Sequence, residues 1–219
     1  MTSIFRLALG ADFDRLHPAM QARFDVHSGR SCTGTGVMNR VWRGGAFTRP
    51  FLAFGAMRNI LCDRVGTDVP FIIRNHSYVD SFGRETVTFA RTFVFNRPHR
   101  WDATMIYSPE RGCIVDYLGT HQHLAVDLHH RVDDRGGLEI RSGEYRIHEG
   151  PLRGRVPELI TGQARLREWW DGERFQIRVA VVNRYFGPLF GYEGAFTVRY
   201  DESGPVPAEL RPIRENALM

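Results

Sequence analysis

From Asp68 to Tyr200 the chain alternates apolar and polar residues with a period of two, interrupted at short intervals by turn residues. Such alternation builds β-strands with one face buried and one face wet. In the stretch RETVTFARTFVF (residues 84–95), Val87, Phe89, Phe93 and Phe95 share one face, interrupted only by Glu85 and Arg91, against Thr86, Thr88, Ala90 and Thr92 on the other. RWDATMIY and CIVDYLG, joined by SPERG, read as a hairpin, and the stretch GTHQHLAVDLHHR leads through the turn DDRGG to LEIRSGEYRIHE, where Gly143 marks a bulge. The clearest hairpin turns at Asp171-Gly172, between strands carrying Ala164, Leu166 and Trp170 on one side and Phe175, Ile177, Val179 and Val181 on the other. A last strand places Tyr192, Phe196, Val198 and Tyr200 together. The expected fold is mainly β: an antiparallel meander of about nine strands, enough to curl into a barrel or half-barrel.

Ahead of the alternation lie two helical patterns expected to cover one end or side of the barrel. Asp12 stands as a cap before Phe13, Leu16, Met20 and Phe24, with Pro18 in the first turn or between two pieces. Thr48 precedes Pro50, followed by Phe51, Leu52, Phe54, Met57, Ile60 and Leu61, with Gly66 as a stop. Between them, GTGVMNRVWRGG has the glycines of a phosphate loop, but Asn39 stands where a dinucleotide fingerprint needs its third glycine, so Asn39 and Arg40 read as loop or rim residues. GPLFGYEG reads as a tight barrel corner. Residues 1–200 form one expected domain, and 201–219 a flexible Pro-rich tail.

Composition removes several chemistries. All 29 basic residues are arginine, so there is no lysine for a Schiff base, a pyridoxal anchor or a P-loop. Cys32, Cys62 and Cys113 are far apart and odd in number, which predicts reduced core thiols and a cytoplasmic protein. A net charge of +4, with acids interleaved among the arginines, gives no stripe for nucleic acid, and no apolar run is long enough for a membrane span. No G-x-S-x-G or H-E-x-x-H motif occurs.

His121 and His123 invite a metal reading, since in an extended strand they project to one side about 7 Å apart. The next acid on that side, Asp127, lies about 13 Å farther along, so the strand cannot complete a site, and no metal or other cofactor is expected. Leu124, Val126 and Leu128 make the more natural core face. By the same phase Gln122 joins the apolar side, as do Arg91 and Glu168, and Asn183 ends the inward series that starts at Phe175. An inward arginine is costly without a carboxylate or an anionic ligand. The expectation is therefore an internal Arg91–Glu168 pair, or else four orienting contacts, Arg91, Gln122, Glu168 and Asn183, in an otherwise apolar pocket.

The combination GVMNRVWRG, DSFGRETVTFARTF, VDYLGTHQHLAVDL and GPLFGYEGAFTV resembles the bacterial family called domain of unknown function 4166, over nearly the whole chain. The resemblance implies a module found alone or joined to NAD(P)-dependent reductase-like domains, hence a small metabolite or lipid as ligand and a reductase as partner. It implies no catalytic residues. The leading expectation is binding of a small hydrophobic or amphipathic molecule in an aromatic-lined cavity. An isomerase or cyclase using a cavity Glu or His for proton transfer stands second, and an interaction module with a solid interior third.

Overall fold

The computed structural model describes residues 2–28, 30–202 and 204–216. Its strands are β1 (Arg30–Arg43), β2 (Gly66–Val79), β3 (Glu85–Val94), β4 (Pro98–Ser108), β5 (Cys113–Leu118), β6 (Leu124–Val132), β7 (Leu138–Glu149), β8 (Leu152–Arg155), β9 (Gln163–Trp170), β10 (Phe175–Asn183) and β11 (Gly187–Glu202). All pairings are antiparallel, in the order β6-β5-β4-β3-β2-β1-β11-β10-β9-β7, and β6 pairs back onto β7, so ten strands close into a barrel with β8 appended to β7. Closure removes every edge that a half-barrel of the same strands would leave exposed.

Two strands are additional to the sequence reading, β1 in the barrel and the short β8 beside β7. GTGVMNRVWRGG lies within and just beyond β1, so Asn39 and Arg40 are strand residues and not a loop. The reason is steric. Inward positions Gly34 and Gly36 carry no apolar side chain, which erases the alternation, because Phe196 fills that space: a Cβ on Gly34 would meet the Phe196 ring at 2.9 Å, and one on Gly36 would meet the Ala195 carbonyl and the Phe196 backbone. GPLFGYEG likewise runs inside β11 and is no corner. Gly143 does sit at a bulge, where the β6–β7 register shifts.

The N-terminal region forms α1 (Ile4–Leu9), a 3-10 turn (Gly10–Arg15) and α2 (Pro18–Phe24). Asp12 lies in the 3-10 turn; α2 is capped by His17, whose Nδ1 accepts from the Ala19 N–H, and Pro18 takes the first helical position that suits its missing donor. Phe13, Leu16, Met20 and Phe24 are all buried, as their spacing requires. Phe5 contacts the rings of Phe24, Phe89 and His130, so these elements plug one end of the barrel. The second expected helix is α3 (Arg49–Ala56), inserted between β1 and β2. It ends ahead of Gly66, and Thr48 donates to the Gly45 carbonyl instead of capping it. The side chains of Phe51 and Phe54 lie outside the described residues. The backbone after α3 reaches the opposite end of the barrel, where the Asn59 carbonyl accepts from the Asp102 N–H and the Arg58 carbonyl from the Thr120 N–H.

The C-terminal segment, expected to trail as a flexible tail, lies against the barrel over its described part. Leu210 is buried. The Ile213 N–H donates to the Thr120 carbonyl, Arg214 donates to the carbonyls of His121 and His148, and the Asn216 N–H donates to Gln122 Oε1. Among the described residues no helix is long and apolar enough to cross a membrane.

Candidate functional site

The barrel interior is divided. On the β1–β2–β11 side it is solid with aromatic rings: Phe71 packs on Phe93 at 5.1 Å, Phe93 on Tyr192 at 5.1 Å and Phe175 on Phe196 at 5.6 Å. On the other side aliphatic residues face each other across open space. Leu124, Val126 and Leu128 of β6, Leu166 of β9 and Val179 and Val181 of β10 line a cavity of about 360 Å³. Barrels of eight strands can be filled by their own side chains, and two further strands widen the interior beyond what these medium-sized side chains occupy. The cavity extends to the end built by the segment after α3 (Ile60, Leu61) and the β8–β9 loop (Val156, Ile160, Gly162).

Few polar groups reach this space, among them Arg91, Asp116, His123, Tyr145 and Tyr192. Strand β3 pairs without a bulge with β2 and β4, so Arg91 keeps the inward phase of Phe89 and Phe93 that its sequence position demands. Its guanidinium lies over the Trp101 ring at 4.8 Å, and its Nε has no hydrogen-bond partner. Burial pushes the Tyr192 phenol up to about 12 while the neighbouring Arg91 draws it down. Asp116 of β5 lies between inward Ile114 and Leu118, its Oδ1 makes no hydrogen bond, and burial holds its carboxyl at about 7 against the pull of Arg91. Tyr145 donates to the Gly162 carbonyl at 2.6 Å. Burial, then the positive charges of Arg58 and other neighbours, lower the pKa of His123.

Of the four contacts expected from phase, Arg91 lines the cavity and the other three are engaged elsewhere. Glu168 points inward as expected, but its partner is Arg23 of α2 (Nε–Oε1 3.1 Å), not Arg91. Arg23 also donates to Asn75 Oδ1 at 2.7 Å, and neither member of the ion pair lines the cavity. Gln122 has φ +51°, which breaks the alternation, and it is spent on Asn216 through both its side chain and its carbonyl. Asn183 clamps the mouth: Nδ2 donates to the carbonyls of Glu158, Leu159 and Thr161, and Oδ1 accepts from the N–H groups of Tyr185 and Phe186. Asn183→Ala is expected to cost about 1–2 kcal/mol in urea denaturation, since it removes at once the several hydrogen bonds that one buried amide makes to the two loops.

The strand geometry that would align His121 with His123 does not form. β6 begins at Leu124, and the two rings stand 6.4 Å apart at 76°. His123 lines the cavity, while His121 accompanies Thr120 and the C-terminal segment. Among the described residues no three His, Cys, Asp or Glu side chains converge as metal ligands. The acid that shares the cavity with His123 is thus Asp116. The inward phase of Ile114 and Leu118 would have found it, by the same reasoning that found Arg91.

The family model described as Domain of unknown function (DUF4166) matches residues 16–196. A curated relative, the "Uncharacterized protein YndH" of Bacillus subtilis (strain 168), is 30% identical over 206 residues, covering 93% of this chain and the full length of the relative. No solved structure matches. On a match that runs from the plug of the barrel to its last strand, the chain belongs to the DUF4166 family.

Proposed function

We propose that the barrel binds a small amphipathic molecule in its interior, the apolar part against the aliphatic wall and the polar part toward Arg91 and its neighbours. The observation that carries this reading is the unfilled space of about 360 Å³, with apolar walls and a few polar groups converging on it, which is the usual composition of a small-molecule site. An interaction module would have no use for such a hollow, since filling it would stabilise the fold. A reductase acting on the guest would bring its own dinucleotide site, because residues 1–219 contain no dinucleotide fingerprint.

The test uses the fluorescent probe 1-anilinonaphthalene-8-sulfonate. Saturable enhancement with the wild-type chain is expected, and the paired substitutions Val126→Trp and Leu166→Trp, which place indoles in the hollow, should weaken it at least tenfold, about 1.4 kcal/mol. Enhancement that survives in the filled variant would put the probe outside the barrel and remove the reading.

A second reading, proton-transfer catalysis of the isomerase or cyclase type, is favoured by one observation: Asp116, held at about 7, shares the cavity with His123. Mass spectrometry of compounds released from protein purified from its native host separates the two. A single compound supports binding. A pair of isomers of equal mass, absent from Asp116→Asn protein, supports catalysis.

A further inference from the structure

The charges inside the barrel do not balance. Arg23 and Glu168 form one closed ion pair, with side chains 0% and 3% exposed. Arg91 is 6% exposed and lines the cavity, yet it makes no ion pair with any described residue. A guanidinium cannot shed its proton to escape burial, as a lysine could. Trp101 covers one face at 4.8 Å and Phe89 lies at 5.6 Å, and these rings soften the cost without neutralising the charge. Such packing leaves the guanidinium edge, with Nε unpartnered, as the place where an acceptor is missing. The nearby carboxyl of Asp116 does not fill the role. It forms neither hydrogen bond nor ion pair with Arg91, and burial dominates it so strongly that it keeps its proton up to about neutral pH.

We propose that the guest of this cavity is an anionic amphiphile whose oxyanion head pairs with the Arg91 guanidinium while its hydrocarbon chain lies against Val126, Leu166 and Val179. The inference rests on the cavity-binding reading above and adds the charge class of the ligand. A carboxylate fits the fork of N–H groups in bidentate fashion, and sulfate or phosphate esters offer the same acceptor chemistry. The dry walls strengthen the pairing, because little water competes for either partner. The Tyr192 hydroxyl, beside Arg91, can donate to the same head group.

The experiment is calorimetric titration of the full chain at about pH 6, where Asp116 is largely protonated, with decanoate, decyl sulfate, 1-decanol and decylamine below their micellar concentrations. Both anions are expected to bind at least tenfold more tightly than the alcohol, with the amine weakest; the order of the two anions then identifies the head group. Arg91→Met should erase that preference, bringing both anions to within about threefold of the alcohol. Raising the pH through 7 should weaken the anions in the wild-type chain, as Asp116 ionises beside them, and should not do so in Asp116→Asn, because burial lowers His123 and raises Tyr145 and Tyr192, the other titrating groups of the cavity, away from that range. Alcohol binding as tightly as decanoate to the wild-type chain would overturn the inference and leave the cavity reading standing. Binding of none of the four would remove the cavity reading itself. The wild-type selectivity and its pH dependence require no Arg91 variant, so an Arg91→Met chain that fails to fold leaves the test intact.

Discussion

Glu168→Ala is expected to destabilise the barrel by about 3–5 kcal/mol, the cost of leaving one member of a buried ion pair alone. Arg23, the orphaned partner, is completely buried, at the junction between the helical plug and the aromatic half of the interior. Its guanidinium lies 5.3 Å from the Phe24 ring, 5.8 Å from Phe89 and 5.5 Å from Phe196, so water cannot replace the lost carboxylate. Burial pushes the Glu168 carboxyl up while Arg23 pulls it down, and the hydrogen bond at 3.1 Å holds the pair together. The companion experiment is the double substitution Arg23→Met, Glu168→Leu. Because it removes both charges and keeps the volume apolar, it should recover more than half of the loss. Urea denaturation followed by tryptophan fluorescence measures both. Equal losses for the single and double variants would show that packing around these side chains, and not their charge, holds the plug in place.

The second large effect is expected at Asp116, and its sign depends on pH. The folded chain holds this carboxyl at about 7, whereas an unfolded chain releases the proton near 3.8. Between those values the folded state binds a proton that the unfolded state has lost, so stability falls as pH rises, by about 1.4 kcal/mol per unit. The stabilising contribution is therefore complete below pH 4 and gone above 7. Asparagine has the same shape and does not titrate. Asp116→Asn should match the wild type near pH 4 and exceed it by on the order of 3–4 kcal/mol at pH 8, read as a rise in Tm of about 6–16 °C. Thermal melts at the two pH values test this. Parallel curves would mean that water entering from the mouth hydrates the carboxylate.

How much of this was legible depended on whether a strand kept its phase. In β3 the register with both neighbours is unbroken, so alternation alone placed Arg91 inside. It placed Glu168 inside too, and Asp116 was equally readable from Ile114 and Leu118. Alternation failed where the backbone leaves the extended region or where the inward residues are not apolar. Gln122 shares the phase of the core face, yet at positive φ it ties down the C-terminal segment instead. In β1 the inward glycines hid a strand because the bulk at that level belongs to Phe196, on a neighbouring strand.

The partner of Glu168 was beyond reach for a different reason. Arg23 is 145 residues away in sequence, on a helix. Its place between Met20 and Phe24 gives no hint that it enters the barrel. A charged residue near an apolar helical face is ordinarily solvated, and only the docking of α2 over the aromatic half takes it out of water.

The sequence by itself determined the strands that alternate, the side each of their residues faces and the arginine that had to be buried, because the direction of a side chain from a pleated backbone is a local property. Only the tertiary structure decided that ten strands close, that Glu168 is spent on Arg23 and that Arg91 overlooks open space. A hollow is the volume enclosed by closure less the volume of the side chains sent into it, and both quantities are set by residues from every strand at once.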